Sequence, residues 1–259
     1  MTGGGGWWDV QTRRHHILIL GGTKEARLLA EALAQEPGLS VTYALHAPTG
    51  TVAAPKNCAM HVGSFGGEAG LVRYMAEQGV SVLVNALHPH AQTMQDRADR
   101  LFETLDMPTF RLARGLWQAQ PGDRWTHFSD AETLTNAVQH AGHERLFCAV
   151  GPKAMAQFLP LSAFATVFAR RFDVSRGPED GSISWIDALP HPSIEAETAL
   201  LVQRGIHALV TKNSGGDRPT KLDAAAGLDL PVYMLDPPRR TSPAFERWED
   251  IKDAIGALG

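Results

Sequence analysis

Cysteine is scarce in this chain of 259 residues: Cys58 and Cys148 stand apart, with no C-x-x-C. That argues against a disulfide framework and a metal site, and both thiols read as buried side chains in a reducing compartment. A basic excess is missing too. The 24 Lys and Arg stand against 28 Asp and Glu, a net charge of -4, which excludes a general nucleic-acid binder but leaves room for a small anionic ligand held by a few local cations. No apolar run approaches the ~20 residues of a membrane span. The run after Arg13-Arg14, from Ile17 to Leu20, falls far short of the ~7–15 residues of a signal core. The chain is therefore expected in the cytoplasm and off the membrane. Three catalytic signatures are absent as well: there is no G-x-x-x-x-G-K-[ST], no H-E-x-x-H and no Tyr-x-x-x-Lys, since Tyr43, Tyr74 and Tyr233 are followed four residues later by Ala47, Gln78 and Pro237. No fixed-period repeat appears, and nothing of low complexity after residue 6.

Apolar runs alternate with helical patterns along most of the chain, which predicts parallel βαβ units. Strands are expected at 17–20, 40–45, 80–86, 109–112, 146–150, 166–170, 206–211 and 232–235. Helices are expected at 24–34, 68–78, 91–105, 154–159, 193–204, 220–226 and 243–258. Another helix should run to about residue 141, opened by the capping box Ser129-Asp130-Ala131-Glu132 with Ser129 at the N-cap. Residues 115–128, with Gly115, Pro121, Gly122 and two tryptophans, read as a linker. The expected organisation is a flexible leader over 1–14, an N-terminal Rossmann-like nucleotide-binding domain over 15–118 and a C-terminal α/β domain over 119–259. The fold class is α/β: two Rossmann-like lobes with parallel sheets, facing each other across a cofactor cleft. Ligands on such sheets lie beyond the carboxyl ends of the strands. Those ends are Gly21-Gly22-Thr23, Leu87-His88-Pro89, Gly151-Pro152-Lys153 and Lys212-Asn213-Ser214-Gly215-Gly216.

GGTKEA, from Gly21 through Lys24 and Glu25 to Ala26, sits where a G-x-G-x-x-G/A fingerprint would sit, with Thr23 in place of the middle glycine. Either it is a plain βα turn, or the helix N-terminus offers its N–H groups to a phosphate. The acid that reads an NAD ribose is missing after the second strand, where Leu45-His46-Ala47 stand, and this tolerates the 2′-phosphate of NADP. VGSFGGEAGL, carrying Ser64, Phe65 and Gly66, is a second glycine-rich turn that by itself reads as a flexible loop. NALHPHA sets His88 at a strand end before Pro89. VTKNSGG, with Thr211, Lys212, Asn213, Ser214, Gly215 and Gly216, combines donors suited to an anion where a solvated turn needs none of them, and Lys221 follows on the next helix.

Together these stretches resemble the precorrin-6A reductase family of cobalamin biosynthesis. The resemblance spans most of residues 17–236 and rests on ILILGGTKEARLLAEAL, GSFGGEAGL, NALHPHA, FRLARGLW, AVGPKAMAQF and, most specifically, LVTKNSGG followed by KLDAA and LPVYML. Two departures stand out. The family usually has Asp-Ala-Thr-His-Pro-Phe-Ala where this chain has Asn85, Leu87 and His90 at the altered places, and a Gly-Pro-Phe-Ser segment looks replaced by 191–197.

The resemblance implies hydride transfer from NADPH to precorrin-6A, a macrocycle with many carboxylates, giving precorrin-6B, with the cofactor between two Rossmann-like lobes. On that reading GGTKEA and GSFGG take the adenosine and phosphate portion, and the Thr211–Gly216 loop meets the nicotinamide side. Arg111, Lys153, Lys212 and Lys221 bind substrate carboxylates. His88 and Lys212 are the catalytic candidates, His88 as proton donor and substrate contact. No metal is expected, no nucleic acid and no membrane, and the working unit is expected to be a monomer or weak dimer. The alternatives are a cobalt-precorrin-6A reductase using NADH, a non-catalytic NADP(H)-binding regulatory protein, and an NADP reductase acting on an unrelated small molecule.

Overall fold

The computed structural model describes residues 15–46, 53–171, 177, 178 and 181–258. The expected leader, 1–14, and Ala47 lie outside them. The described chain forms two compact units. One takes the chain up to Arg114 together with Thr241–Gly259, and the other is Gly115–Arg240.

The first unit opens with β1 (His15–Leu20), α1 (Lys24–Leu33), β2 (Leu39–Leu45), β3 (Ala59–Val62), α2 (Gly67–Glu77), β4 (Val82–Asn85), α3 (Gln92–Thr104) and β5 (Thr109–Arg111). Its five strands lie parallel in the order β3-β2-β1-β4-β5. The alternation in β1 explains its central place. Ile17 and Ile19 join one apolar cluster with Leu29 and Leu33 of α1, while Leu18 and Leu20 join another with Leu71 and Leu101 of α2 and α3. A strand buried on both faces has to lie inside a parallel sheet. The chain moves outward from β1 in one direction and from β4 in the other, so their carboxyl ends flank the point where strand order reverses, the usual ligand crevice of such sheets.

The second unit contains β6 (Arg124–Phe128), α4 (Ala131–His140), β7 (Arg145–Ala149), a 3-10 helix at Met155–Ala163, β8 (Thr166–Arg171), β9 (Ile183–Asp187), α5 (Ile194–Gln203), β10 (Ala208–Lys212), α6 (Thr220–Gly227) and β11 (Pro231–Leu235). Six parallel strands run in the order β6-β11-β10-β7-β8-β9, so here the order reverses between β7 and β10. The last helix, α7 (Trp248–Gly256), sends Ile251 and Ile255 into the cluster beneath α1 of the first unit. No helix among the described residues is long and apolar enough to cross a membrane.

Several expectations shift. β3, β6 and β9 are strands that periodicity does not reveal, and all three are sheet edges. Half-exposed segments such as Arg124–Phe128 need no apolar run, so part of the expected linker is a strand. Residues 115–118 group with the second unit, because Gly216 donates to the Gly115 carbonyl and Asn213 bonds Trp117. Residues after 240 group with the first: Phe245 exchanges main-chain bonds with Arg111 and Ala113 and forms a parallel bridge to Leu112 beyond β5. Asp130, not Ser129, caps α4. Its extended backbone lets the carboxylate accept the Thr133 N–H at 2.8 Å, while the Ser129 hydroxyl donates to that carboxylate. Pro160 lacks the N–H that an α-helix would use and the segment around it runs as a 3-10 helix.

Candidate functional site

In the first unit the turn from β1 into α1 is held by an unforeseen residue, Tyr43 of β2. Its hydroxyl accepts the Gly22 N–H at 2.8 Å, and its ring lies so close to Gly21 that a Cβ there would sit 2.3 Å from a ring carbon. Gly21 is therefore needed for packing. Gly22 is needed for conformation, with φ at 119°. Burial pushes the Tyr43 phenol up, against the opposing Gly22 N–H. Thr23 caps α1: its Oγ accepts from Ala26 N–H at 3.1 Å and donates to the Ala86 carbonyl at 3.2 Å. The Thr23 hydroxyl is thus turned inward. What the turn presents is the first turn of α1, at Lys24 and Glu25, where helix N–H groups have no intrahelical acceptor. The Glu25 carboxylate itself pairs with Arg114 at 3.2 Å.

The second glycine-rich turn is ordered by aromatic packing. Phe65 stacks on His61 with centroids 4.1 Å apart, and Tyr74 meets both edge-on. A Cβ on Gly70 would lie 1.7 Å from the Phe65 carbonyl oxygen, so the turn rides directly on α2. Ser64 is exposed and its Oγ accepts the Gly66 N–H at 3.1 Å. Gly66 and Gly67 have positive φ, with open space where each Cβ would be.

At the end of β4, His88 is partly buried and its Nδ1 accepts the His90 N–H at 3.2 Å, which puts the proton of the neutral ring on Nε2. Beneath it Asn85, Gln95 and Arg111 form a buried polar cluster, 0, 5 and 4 % exposed. Arg111 donates to Gln95 at 3.1 Å and pairs with Asp99 of α3. Arg111, expected to meet a substrate carboxylate, has its guanidinium enclosed and its charge answered within the unit.

The second unit handles charge differently. Thr211 donates to the Ala149 carbonyl at 3.3 Å and accepts from Lys221 Nζ at 2.8 Å, tying α6 to β10 and β7. The Asn213 carboxamide spans the Trp117 backbone, accepting its N–H at 3.0 Å and donating to its carbonyl at 3.2 Å. The Trp117 indole N–H in turn reaches the carbonyls of Gly216 and Asp217, and its ring lies 5.7 Å from Lys221 Nζ. Ser214 donates to the Lys212 carbonyl. Of the polar side chains expected to face a ligand from this loop, Thr211, Asn213 and Ser214 instead hold its shape. Lys212 is the exception: its ammonium has no hydrogen-bond or ion-pair partner among the described residues. Burial holds Lys212 below the usual lysine range. Lys221 is lowered to about 8 by burial first and then by the Arg170 charge. Arg170 itself is bidentate to Glu197, at 2.7 and 3.0 Å, and Glu197 is fully buried and also accepts the His191 N–H. Ser193, in the replaced segment, caps α5. Lys153 is exposed after β7.

Comparison with known proteins decides the family. The family model described as "Precorrin-6x reductase CbiJ/CobK" matches residues 16–258. The chain belongs to that family. It is similar to the precorrin-6A reductase of Rhodococcus erythropolis, 34% identical over 94% of this chain and 97% of that one. The precorrin-6A reductase of Rhodobacter capsulatus is likewise 34% identical, over 93% and 95%. A solved structure titled "CobK precorrin-6A reductase" superposes with a TM-score of 0.83 at 31% identity, covering 95% and 97% of the two chains. The family resemblance read from LVTKNSGG and NALHPHA therefore holds, as does the α/β class with two parallel sheets.

The site residues singled out by sequence lie beyond the carboxyl ends of strands, apart from Arg111 at the end of β5, Thr211 and Lys212 in the last two positions of β10, Lys24 and Glu25 in the first turn of α1, and Lys221 on α6. The structure joins Thr211 to Lys221 directly and sets Lys212 close enough to act on the Lys221 charge. Sequence reasoning misses Tyr43, Gln95, Trp117, Arg170 and Glu197. Trp117 lay within the quoted FRLARGLW stretch, but the partners of the others are 6 to 27 positions away and no spacing announces them.

Proposed function

We propose that this chain reduces precorrin-6A with NADPH, giving precorrin-6B, on the cobalt-free route. The observation that carries the reading is family membership along nearly the whole chain, with both quoted relatives titled for that cobalt-free substrate. Bound NADPH supplies the hydride for a carbon–carbon double bond conjugated to a ring nitrogen. A proton completes the reduction.

The residues present fit such a cofactor. The α1 N-terminus suits a phosphate, Gly22 keeps a side chain off the turn, and the Cβ space above Gly66 and Gly67 is open. At the end of β2, Leu45 and exposed His46 stand where an acid would repel a 2′-phosphate, which supports NADPH over NADH. In the second unit Lys212, partly desolvated and unpaired among the described residues, binds a substrate carboxylate, with Lys221 and Lys153 as further cations. A charge already stripped of part of its water gains more from a carboxylate than a fully hydrated one. In the first unit His88 offers Nε2 as a donor to the substrate.

The test is an assay of NADPH consumption with precorrin-6A and mass analysis of the product, with NADH and cobalt-precorrin-6A as parallel arms. The account expects one NADPH oxidised per product two hydrogens heavier, and NADPH preferred. Binding without consumption would make the chain a regulator instead. His88→Gln, which keeps a donor but no acid, should retain more turnover than His88→Ala if the ring orients substrate, and no more if it delivers the proton.

A further inference from the structure

The buried carboxamide of Gln95 makes the four hydrogen bonds that such a group can make. Its Oε1 accepts from Asn85 Nδ2 at 2.8 Å and from Arg111 at 3.1 Å. Its Nε2 donates to the carbonyls of Leu87 at 3.3 Å and His88 at 3.4 Å. This pattern also fixes the amide's orientation, because a flip would set Nε2 against two donors and Oε1 against two carbonyls. Asn85 adds a fifth tie by accepting the Leu87 N–H at 3.2 Å, and the His88 carbonyl also takes the Ala91 N–H that opens α3. The strand-end turn bearing His88 is thus clasped from below by one side chain on α3, itself held by Asn85 of β4 and Arg111 of β5.

We propose that Gln95 is a positioning residue for the reaction: it sets the height and direction of the His88 turn, and acts only through His88. The inference rests on the reading of His88 as a substrate contact. Only glutamine meets the demand at this site. Glutamate would keep both acceptor roles toward Asn85 and Arg111 but supply no donor to the turn, and an apolar residue would lose all four bonds and leave buried donors unanswered.

That asymmetry gives the experiment. Turnover, the KM for NADPH and the thermal midpoint are measured for the unaltered chain, Gln95→Glu, Gln95→Met, His88→Ala and the double variant His88→Ala/Gln95→Glu. Gln95→Glu should keep a near-normal midpoint and NADPH KM while kcat falls about tenfold, the equivalent of one to two lost hydrogen bonds. The double variant should turn over no more slowly than His88→Ala alone, because two residues acting through one step are not additive. The proposal is overturned if both Gln95 variants turn over normally, or if the double variant loses the product of the two single losses. If neither Gln95 variant folds, Gln95 is a folding residue and the positioning role is wrong. If His88→Ala turns over normally, the reading of His88 fails, whatever Gln95 does.

Discussion

At the carboxyl edge of the first sheet, polar side chains answer one another: Thr23 with Ala26 and Ala86, Tyr43 with Gly22, Gln95 with Asn85, Arg111 and the His88 turn. At the same edge of the second sheet, Lys212 has no hydrogen-bond or ion-pair partner among the described residues, and Lys221 meets the Thr211 hydroxyl and the Trp117 ring. The first edge spends its polarity on shaping backbone, so what it offers outward is main-chain N–H and the His88 ring. The second edge keeps positive charge in reserve. Such an edge suits an anionic substrate, and the first suits a phosphate-bearing cofactor whose charge a helix N-terminus can meet.

The largest effect should come from the charge buried beneath the second edge. Glu197→Ala leaves Arg170 enclosed without its bidentate partner and should cost about 3–5 kcal/mol of stability in denaturant unfolding. By contrast, Asp229→Asn, which suits the same left-handed backbone, neutralises an exposed pair with Arg124 and should cost at most about 1 kcal/mol. Equal losses would mean that the buried pair is not the anchor of that edge.

On the first edge, Gly21→Ala drives a methyl into the Tyr43 ring and should lower stability by about 1–3 kcal/mol. Tyr43→Ala in the same chain should relieve that clash, so the pair should lose less than the sum of the singles.

Lys221 ties the comparison to pH. Its folded pKa, about 8, lies below its unfolded value, so between the two the unfolded chain holds more protons and this residue's contribution to stability rises with pH across that window. The proposed binding of a substrate carboxylate by Lys221 runs the other way and weakens above about pH 8. The KM for the tetrapyrrole should therefore climb on the alkaline side, and Lys221→Met should remove that limb. The smallest effect belongs to the α1 cap. Thr23→Val should cost about 1 kcal/mol in unfolding experiments and barely change NADPH affinity, because the lost hydroxyl faces inward.

Much of the architecture was legible because its core strands are apolar on both faces, as in Ile17–Leu20 and Leu209–Val210, and α1, α4 and α5 begin at polar caps. The edges escaped for the same reason in reverse. Ala59–Val62 and Arg124–Phe128 are half-solvated, so pairing with a neighbour and not composition makes them strands. The site was legible as a set of places, since glycines and prolines mark strand ends whatever their neighbours. It was less legible as a set of roles. Thr23, Arg111 and Asn213 have the chemistry of ligand contacts, yet each finds its partner within its own unit. Those partners come from the residue after β4, from α3 and from the 115–118 segment, and only folding brings them near.

The division of labour between the two edges is tested most directly by titrating Lys212→Met separately with NADPH and with precorrin-6A. The account predicts NADPH affinity within about threefold of the unaltered chain and precorrin-6A affinity down by about thirtyfold or more, as befits a lost charge pair in a partly desolvated setting. A variant that binds precorrin-6A normally and has lost NADPH would contradict it.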